Sequence, residues 1–317
     1  MSDTIKWVKD TLVAGCEQTT LALPPDDEGA VTAVLVRKLA PAAQRAVLYI
    51  HGFSDYFFQG HLAERFNQEG YHFYALDLRK YGRAWLPHQH PNHCRDVHEY
   101  FAEISAAIAI IDDAHPAAFL LLAGHSTGGL TTSLYLHEGE RRQRVNALWL
   151  NSPFFEFAAT GVEALSVPVG TALGGIFPYA GPKNALSPCY VESLHKSLRG
   201  DWEFDLRLKP LKAHPVYFGW VRAIRHGHRQ LQRGLAIAQP VLLNHSDSSV
   251  TGKQWDERYL QADGVLNVEH MKRYGPGIGH NVTLREIPQG LHDLTLSRAG
   301  VRQVLFQQLF EWLATCS

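Results

Sequence analysis

Short, continuously hydrophobic runs alternate along the chain with longer stretches in which apolar residues recur at helical spacing. The continuous runs predict buried β-strands at 46–50, 71–76, 118–123, 147–150, 241–243 and 282–287. The amphipathic stretches predict helices near 60–69, 97–113, 128–138 and 301–313. Because buried parallel strands are apolar on both faces and are connected by helices, this alternation predicts an α/β fold with a mostly parallel sheet flanked by helices.

Two regions depart from this alternation. Around 11–23 and 30–39, apolar and polar positions alternate, which predicts an antiparallel edge hairpin and brings the sheet to eight strands. From 154 to 239 the strand signals stop, and helix-like pieces lie between proline and glycine residues. We therefore predict a core formed by 1–153 and 240–317, with a helical lid inserted at 154–239.

Composition and charge exclude several classes of protein. With 317 residues, 45% of them hydrophobic and 19% charged, the chain is a globular protein. A formal net charge of -1 gives no general attraction to nucleic acid. No run approaches the roughly 18–20 apolar residues of a membrane span, and residues 1–10 do not resemble a signal peptide. The four cysteines are widely separated, which suits a reducing compartment, so we expect a cytoplasmic protein.

The strongest chemical signal is the pentapeptide Gly124-His125-Ser126-Thr127-Gly128, which has the pattern GxSxG. It directly follows one predicted strand and directly precedes a predicted helix. A sharp turn in this position exposes the serine hydroxyl above the sheet and needs glycines where no Cβ fits. The context therefore predicts that Ser126 is a nucleophile.

Acyl transfer to a serine needs backbone N–H groups that bind the oxyanion of the tetrahedral intermediate. The N–H of Thr127, the residue after the serine, is one candidate donor. The second is expected in the loop after an early strand, where His51-Gly52-Phe53 lies. We therefore predict an oxyanion hole formed by the N–H groups of Phe53 and Thr127.

A serine nucleophile also needs a base, and position must choose among 18 histidines. At strand–turn–helix serines the order along the chain is Ser…Asp…His, and the histidine follows the last strand. His292 follows the predicted strand at 282–287, whereas His280 precedes it. We therefore predict that His292 is the base.

Three aspartates follow the predicted strand at 241–243 and compete for the role of the acid that orients the base. Asp247 lies at the more usual distance from the strand. Asp263 is followed by a turn and a short apolar pair that lead into a helix, an arrangement suited to holding a carboxylate firmly. Asp256 is predicted to lie on the polar face of a short helix at 252–261. We favour Asp263, with Asp247 as the alternative.

The stretch His88-Gln89-His90-Pro91-Asn92-His93-Cys94 is rich in metal-ligand types. Its spacing matches no standard zinc pattern, and its prolines indicate a loop. We therefore expect no metal site.

The motifs at 51–53, 124–128 and 290–293 resemble those of α/β-hydrolases. More narrowly, the chain resembles the lysophospholipase, monoglyceride lipase and serine aminopeptidase-like group. The resemblance covers nearly the whole chain, including a helical lid between the sixth and seventh strands. It implies a Ser–Asp–His triad, no cofactor, and a carboxylic ester as the commonest substrate. Two features depart from the pattern: Asp263 lies unusually far from its strand, and the lid shows no obvious long apolar stripe.

We therefore expect a serine hydrolase that cleaves a small or medium acyl ester through an acyl-enzyme on Ser126, with monoacylglycerols and lysophospholipids as candidate substrates. One alternative is an aminopeptidase or amidase. That activity would need a lid carboxylate to bind the substrate amine, for which Glu156, Glu163 and Glu192 are the candidates. The other is a non-catalytic, ligand-binding protein of the same fold, since a fold alone does not specify a function.

Overall fold

The structure is a computed structural model that describes residues 5–158, 165–183 and 186–316. The strands are β1 (Val8–Lys9), β2 (Glu17–Asp26), β3 (Gly29–Lys38), β4 (Arg45–Ile50), β5 (Tyr71–Asp77), β6 (Phe119–His125), β7 (Ala147–Asn151), β8 (Val241–Ser246) and β9 (Val282–Ile287). The helices are α1 (Gly60–Gln68), α2 (Phe101–Ala114), α3 (Thr127–Glu138), α4 (Ser166–Leu173), α5 (Cys189–Leu194), α6 (Phe218–Gln232), α7 (Val268–Tyr274) and α8 (Ala299–Leu313).

All strands belong to one sheet with the order β1-β2-β3-β5-β4-β6-β7-β8-β9. From β5 to β9 every neighbouring pair is parallel, and the first three strands join antiparallel. This confirms the predicted fold class. Within the described residues the sheet has nine strands rather than the predicted eight, because Val8–Lys9, too short to give a pattern, pairs with the outer edge of β2. The hairpin formed by β2 and β3 is also confirmed, although its first strand begins at Glu17 rather than near residue 11.

Helices cover both faces of the sheet, which explains why its central strands are apolar throughout. On one face the sheet packs against Ile108 of α2, Leu134 of α3 and Ile224 of α6. On the other it packs against Phe66 of α1 and Leu309 of α8. All five side chains are fully buried. Because helices cover both faces, a site can form only at an edge of the sheet. In parallel sheets this is the edge formed by the carboxyl ends of the strands and the loops that follow them.

Between β7 and β8 the chain forms α4, α5 and α6. Helix α6 packs on α4 and on the core. In and around α4, four large apolar side chains are more than half exposed: Leu165, Val169, Ile176 and Phe177. These side chains form a short exposed apolar patch rather than a long stripe, because a proline and several glycines break the run into short pieces. None of the described helices is long and apolar enough to cross a bilayer.

Candidate active site

Ser126 lies in the turn between β6 and α3, with φ 53° and ψ −118°. A positive φ at a residue other than glycine is strained, at a cost of about 1–3 kcal/mol, so the surroundings must hold it. The N–H of Ser126 donates to the carbonyl of Asn151 at 3.1 Å. Its own carbonyl accepts from the N–H groups of Gly129 and Phe154, both at 2.9 Å. The end of β7 and the first turn of α3 thus hold the strained serine in place.

The two glycines of the GxSxG motif are required by close packing. A Cβ at Gly124 would lie 2.4 Å from Thr132 Oγ1. A Cβ at Gly128 would lie 2.4 Å from the carbonyl oxygens of both Ile50 and His51. Any side chain at either position would push α3 away from β6 and from the loop after β4.

The loop after β4 lies directly against Ser126. A Cβ at Gly52 would be 3.0 Å from the Ser126 Cβ. The N–H of Leu78 donates to His51 Nε2 at 3.1 Å, so His51 carries its proton on Nδ1 and donates it to the carbonyl of Gly52 at 2.8 Å. The Gly52 carbonyl and the Phe53 N–H belong to the same trans peptide and point in opposite directions. Because the Gly52 carbonyl is turned towards His51, the Phe53 N–H is turned away from it. Sequence reasoning did not assign this orienting role to His51.

The structure brings His292 and Asp263 together. His292 Nδ1 lies 2.9 Å from Asp263 Oδ2, and both side chains are buried. Since a carboxylate only accepts, His292 carries a proton on Nδ1, and in the neutral ring this leaves the lone pair on Nε2. The His292 ring is centred 4.8 Å from that of His125, the residue before Ser126. An imidazole in the tautomer of a general base therefore lies beside the serine turn.

Asp263 reaches this position although 15 residues lie between it and Asp247. The N–H of Val250 donates to the carbonyl of Asp263, and the N–H of Asp263 donates to the carbonyl of Ser248, both at 2.9 Å. The chain between them leaves the sheet and returns to its starting point. Asp263 is thereby placed as if it directly followed β8, which is why its large distance along the sequence is misleading.

The other two aspartates lie elsewhere. Asp247 is exposed and accepts from the N–H of Gln289 at 3.1 Å. Asp256 is half-buried and pairs with Arg258 at 2.9 Å. The helix predicted at 252–261 is only a single 3₁₀ turn at Glu257–Leu260, which Asp256 caps. Of the three candidate acids, Asp263 is the one bonded to His292.

Asp293 is a buried carboxylate that sequence reasoning missed. Its Oδ1 accepts from Asn151 Nδ2 at 2.7 Å and from the N–H and hydroxyl of Thr295, and its Oδ2 accepts from Gln59 Nε2 at 2.9 Å. Burial acts to raise the pKa of Asp293, but the nearby His125 and these hydrogen bonds outweigh it, and the pKa is lowered to about 2. Asp293 is thus a buried anion that fixes the loop after β9.

Aromatic side chains form a wall beside the serine turn. The Phe53 and Trp220 rings are centred 4.4 Å apart, and Phe154 and Phe157 meet edge to face at 5.1 Å. Phe154 is also the residue whose N–H bonds to the carbonyl of Ser126. This wall is suited to contact with an apolar substrate chain.

The glutamates considered for amine binding are engaged or lie outside the described residues. Glu156 forms two hydrogen bonds of 2.9 Å with Arg225. Glu192 is half-buried, 4.0 Å from Arg199. Glu163 lies outside the described residues. Neither described glutamate is an unpaired carboxylate.

The histidine-rich loop packs against the β2–β3 turn. Its His90 bonds to Glu28 at 2.6 Å and stacks on Tyr179 at 4.4 Å. His93 is completely buried, and burial lowers its pKa to about 4, so its ring is neutral. In the part of the chain that the structure describes, no group of three or more histidine, cysteine or acidic side chains could hold a metal ion.

Comparison with known proteins identifies the family. Residues 41–295 match the family described as serine aminopeptidase, S33. The chain is 28% identical over 246 residues to a monoacylglycerol lipase of Mycolicibacterium smegmatis, which covers 74% of this chain and 81% of that protein. The fold matches the crystal structure of a Paleococcus ferrophilus monoacylglycerol lipase with a TM-score of 0.66 at 19% identity, over 89% of this chain and 99% of that one. It matches a soluble variant of the Saccharomyces cerevisiae monoglyceride lipase with a TM-score of 0.65 at 14% identity, over 95% and 97% of the two chains. The chain therefore belongs to the serine aminopeptidase S33 family of α/β-hydrolases and is homologous to monoacylglycerol lipases.

Proposed function

We propose that this protein is a serine esterase that hydrolyses a carboxylic ester through an acyl-enzyme on Ser126. The observation that carries the proposal is the buried Asp263–His292 hydrogen bond beside the strained serine turn. It supports a base with a free Nε2 lone pair next to a hydroxyl held above the sheet.

In this mechanism His292 Nε2 takes the Ser126 proton as Oγ attacks the ester carbonyl. The Phe53 and Thr127 N–H groups donate to the oxyanion, and the amino end of α3 adds a favourable dipole. His292 then gives its proton to the leaving alcohol. A water molecule, deprotonated by the same imidazole, releases the carboxylic acid. Asp263 keeps the imidazole in the required tautomer and stabilises its charged form.

For the substrate we propose a monoacyl ester of small or medium chain length, including monoacylglycerols, with lysophospholipids as a further candidate. The homologous lipases and the aromatic wall at Phe53, Phe154 and Trp220 support an acyl chain. We propose that 154–239 acts as a lid over this wall. The exposed apolar side chains at and after α4 would let it meet an aggregated lipid.

The aminopeptidase alternative has less support. A substrate amine needs an unpaired, partly buried carboxylate, and Glu156 and Glu192 each have an arginine neighbour. The complete set of nucleophile, base and oxyanion candidates argues against a non-catalytic protein.

The test is hydrolysis of p-nitrophenyl esters of increasing chain length by the wild type and by Ser126→Ala. We expect turnover by the wild type and none by the variant, which should melt at the same temperature. A fluorophosphonate probe should label the wild type alone. Full activity of Ser126→Ala would refute the proposal, and faster turnover of aminoacyl-naphthylamides than of esters would favour the aminopeptidase.

A further inference from the structure

A strap of residues 202–214, which leads into α6, crosses the loop at 53–58 that follows β4. Every polar side chain at positions 54–56 contacts the strap. The contacts are His214 N–H to Ser54 Oγ at 3.3 Å, Lys209 Nζ to Asp55 Oδ1 at 2.9 Å, and Asp205 N–H to Tyr56 Oη at 2.8 Å. The rings of Phe204 and Phe58 add an apolar contact at 4.8 Å.

The ion pair between Lys209 and Asp55 is the buried centre of this contact. The two residues are 5% and 2% exposed. Asp55 Oδ1 also accepts from the N–H of Tyr56 at 2.9 Å, so the pair is attached to the backbone of the loop. Separating two buried charges leaves each without a partner in a poorly solvated site, which is strongly unfavourable. The strap therefore cannot shift without moving the loop.

The pair also lies close to the proposed chemistry. Asp55 is two residues from Phe53, the proposed oxyanion donor, and Ser54 between them has a strained φ of 51°. The Lys209 ammonium is 6.0 Å from the ring centre of Tyr190. Tyr190 in turn packs edge to face on His292 at 5.5 Å. Lys209 thus contacts both the loop of the oxyanion donor and a residue that supports the base.

We propose that Lys209 and Asp55 are positioning residues, an ion pair through which the segment between β7 and β8 holds the Phe53 N–H in its oxyanion-binding orientation. The inference rests on the proposed esterase function. A strained loop keeps its geometry only when its surroundings determine it, and the strap provides those surroundings. Oxyanion stabilisation depends on donors placed in advance, so a loosened loop slows the reaction without weakening substrate binding.

The experiment compares Lys209→Met, Lys209→Arg and the double variant Asp55→Asn/Lys209→Met with the wild type. Lys196→Met is the matched control, because the Lys196–Glu203 pair lies in the same segment but is exposed. We expect kcat for a p-nitrophenyl ester to fall about tenfold to a hundredfold in Lys209→Met, less than the loss of a whole oxyanion donor. The KM should stay within about threefold, since the interaction acts in the transition state. Lys209→Arg should recover most of the loss, and Lys196→Met should match the wild type.

Inhibition by an arylboronic acid separates positioning from a merely structural role. Its tetrahedral adduct with the serine places an oxygen in the oxyanion hole, so its inhibition constant should rise in parallel with the loss of kcat. If Lys209→Met does not fold, the double variant, which leaves no unpaired buried charge, carries the same test. Wild-type kcat in Lys209→Met or in the double variant, or a lower kcat with an unchanged inhibition constant, would overturn the inference. An inactive wild type would instead refute the proposed esterase.

Discussion

Replacing Asp263 by asparagine is the sharpest test of the proposed triad, because the surroundings dictate how the new amide must lie. Asp263 Oδ1 accepts from the N–H groups of Val265 and Leu266, both at 2.8 Å. An asparagine there must keep its oxygen towards these two donors. Its NH2 group then occupies the position of Oδ2 and faces His292 Nδ1. Flipping the amide would set NH2 against two backbone N–H groups in a site with no solvent exposure.

The amide thus forces the wrong tautomer on the base. His292 Nδ1 must accept, so the proton moves to Nε2, where the free lone pair is needed. If Asp263 is the acid of the proposed triad, we expect this loss to lower kcat by about 10⁴-fold, which is about 5.4 kcal/mol at 1.36 kcal/mol for each tenfold. The fold should survive, because the substitution preserves shape and both backbone hydrogen bonds. The measurement is kcat for a p-nitrophenyl ester, with a melting curve for each variant.

Asp247→Asn is the matched control. Asp247 is exposed and its partners are a backbone N–H and serine hydroxyls, so we expect kcat within about threefold of the wild type. The reasoning is refuted if folded Asp263→Asn keeps more than a tenth of the activity. It is also refuted if Asp247→Asn loses as much as Asp263→Asn.

Three further predictions concern the structure around the site. The pKa of Asp293 is about 2 instead of 3.8, so its ionised form adds about 2 kcal/mol to the free energy of unfolding above pH 3.8, and this contribution is lost as the pH falls through 2. Urea titrations at several pH values below 4 give the free energy of unfolding as a function of pH. As the pH falls, this free energy should decrease less steeply in Asp293→Asn than in the wild type, and equal slopes against pH would contradict the prediction. Gly128→Ala should cost about 3 kcal/mol or more, seen as a lower melting temperature, because its Cβ would meet two backbone oxygens at 2.4 Å. Ile176→Glu/Phe177→Glu should reduce hydrolysis of vesicle-borne monoacyl esters several-fold while leaving that of soluble p-nitrophenyl acetate unchanged; an equal loss on both would argue against interfacial contact.

Elements with local signals could be predicted from the sequence. The strand, turn and helix around Ser126 occupy adjacent residues, and the structure has β6 and α3 at the predicted place. The packing of Gly124 and Gly128 gives the physical reason why that pattern is recognisable. The apolar strands β4 to β8 could also be predicted from the sequence, because burial on both faces of a parallel sheet leaves little room for polar residues.

Features that depend on contacts between distant residues could not be predicted in the same way. Asp263 lies beside His292 because residues 248–250 pair with it at the end of a long excursion, a register with no local pattern. Asp293 and Lys209 are charged residues whose burial depends on partners such as Gln59 and Asp55, 234 and 154 positions away along the chain. A charged residue in a predicted loop is usually exposed, so only the tertiary structure distinguishes these two.

Two aspartates of the site, Asp263 and Asp293, are fully buried, and their different hydrogen-bond partners indicate different roles. Asp293 has both oxygens bonded by uncharged donors from Gln59, Asn151 and Thr295, and leaves no acceptor directed at the base. Asp263 gives one oxygen to the backbone and the other to His292. A carboxylate already engaged on both oxygens cannot take over the tautomer-fixing bond without breaking buried hydrogen bonds to charge, each worth about 1.5–3 kcal/mol. Asp293 therefore should not rescue Asp263→Asn, and the deep loss of kcat expected for that variant follows from the partners of both residues.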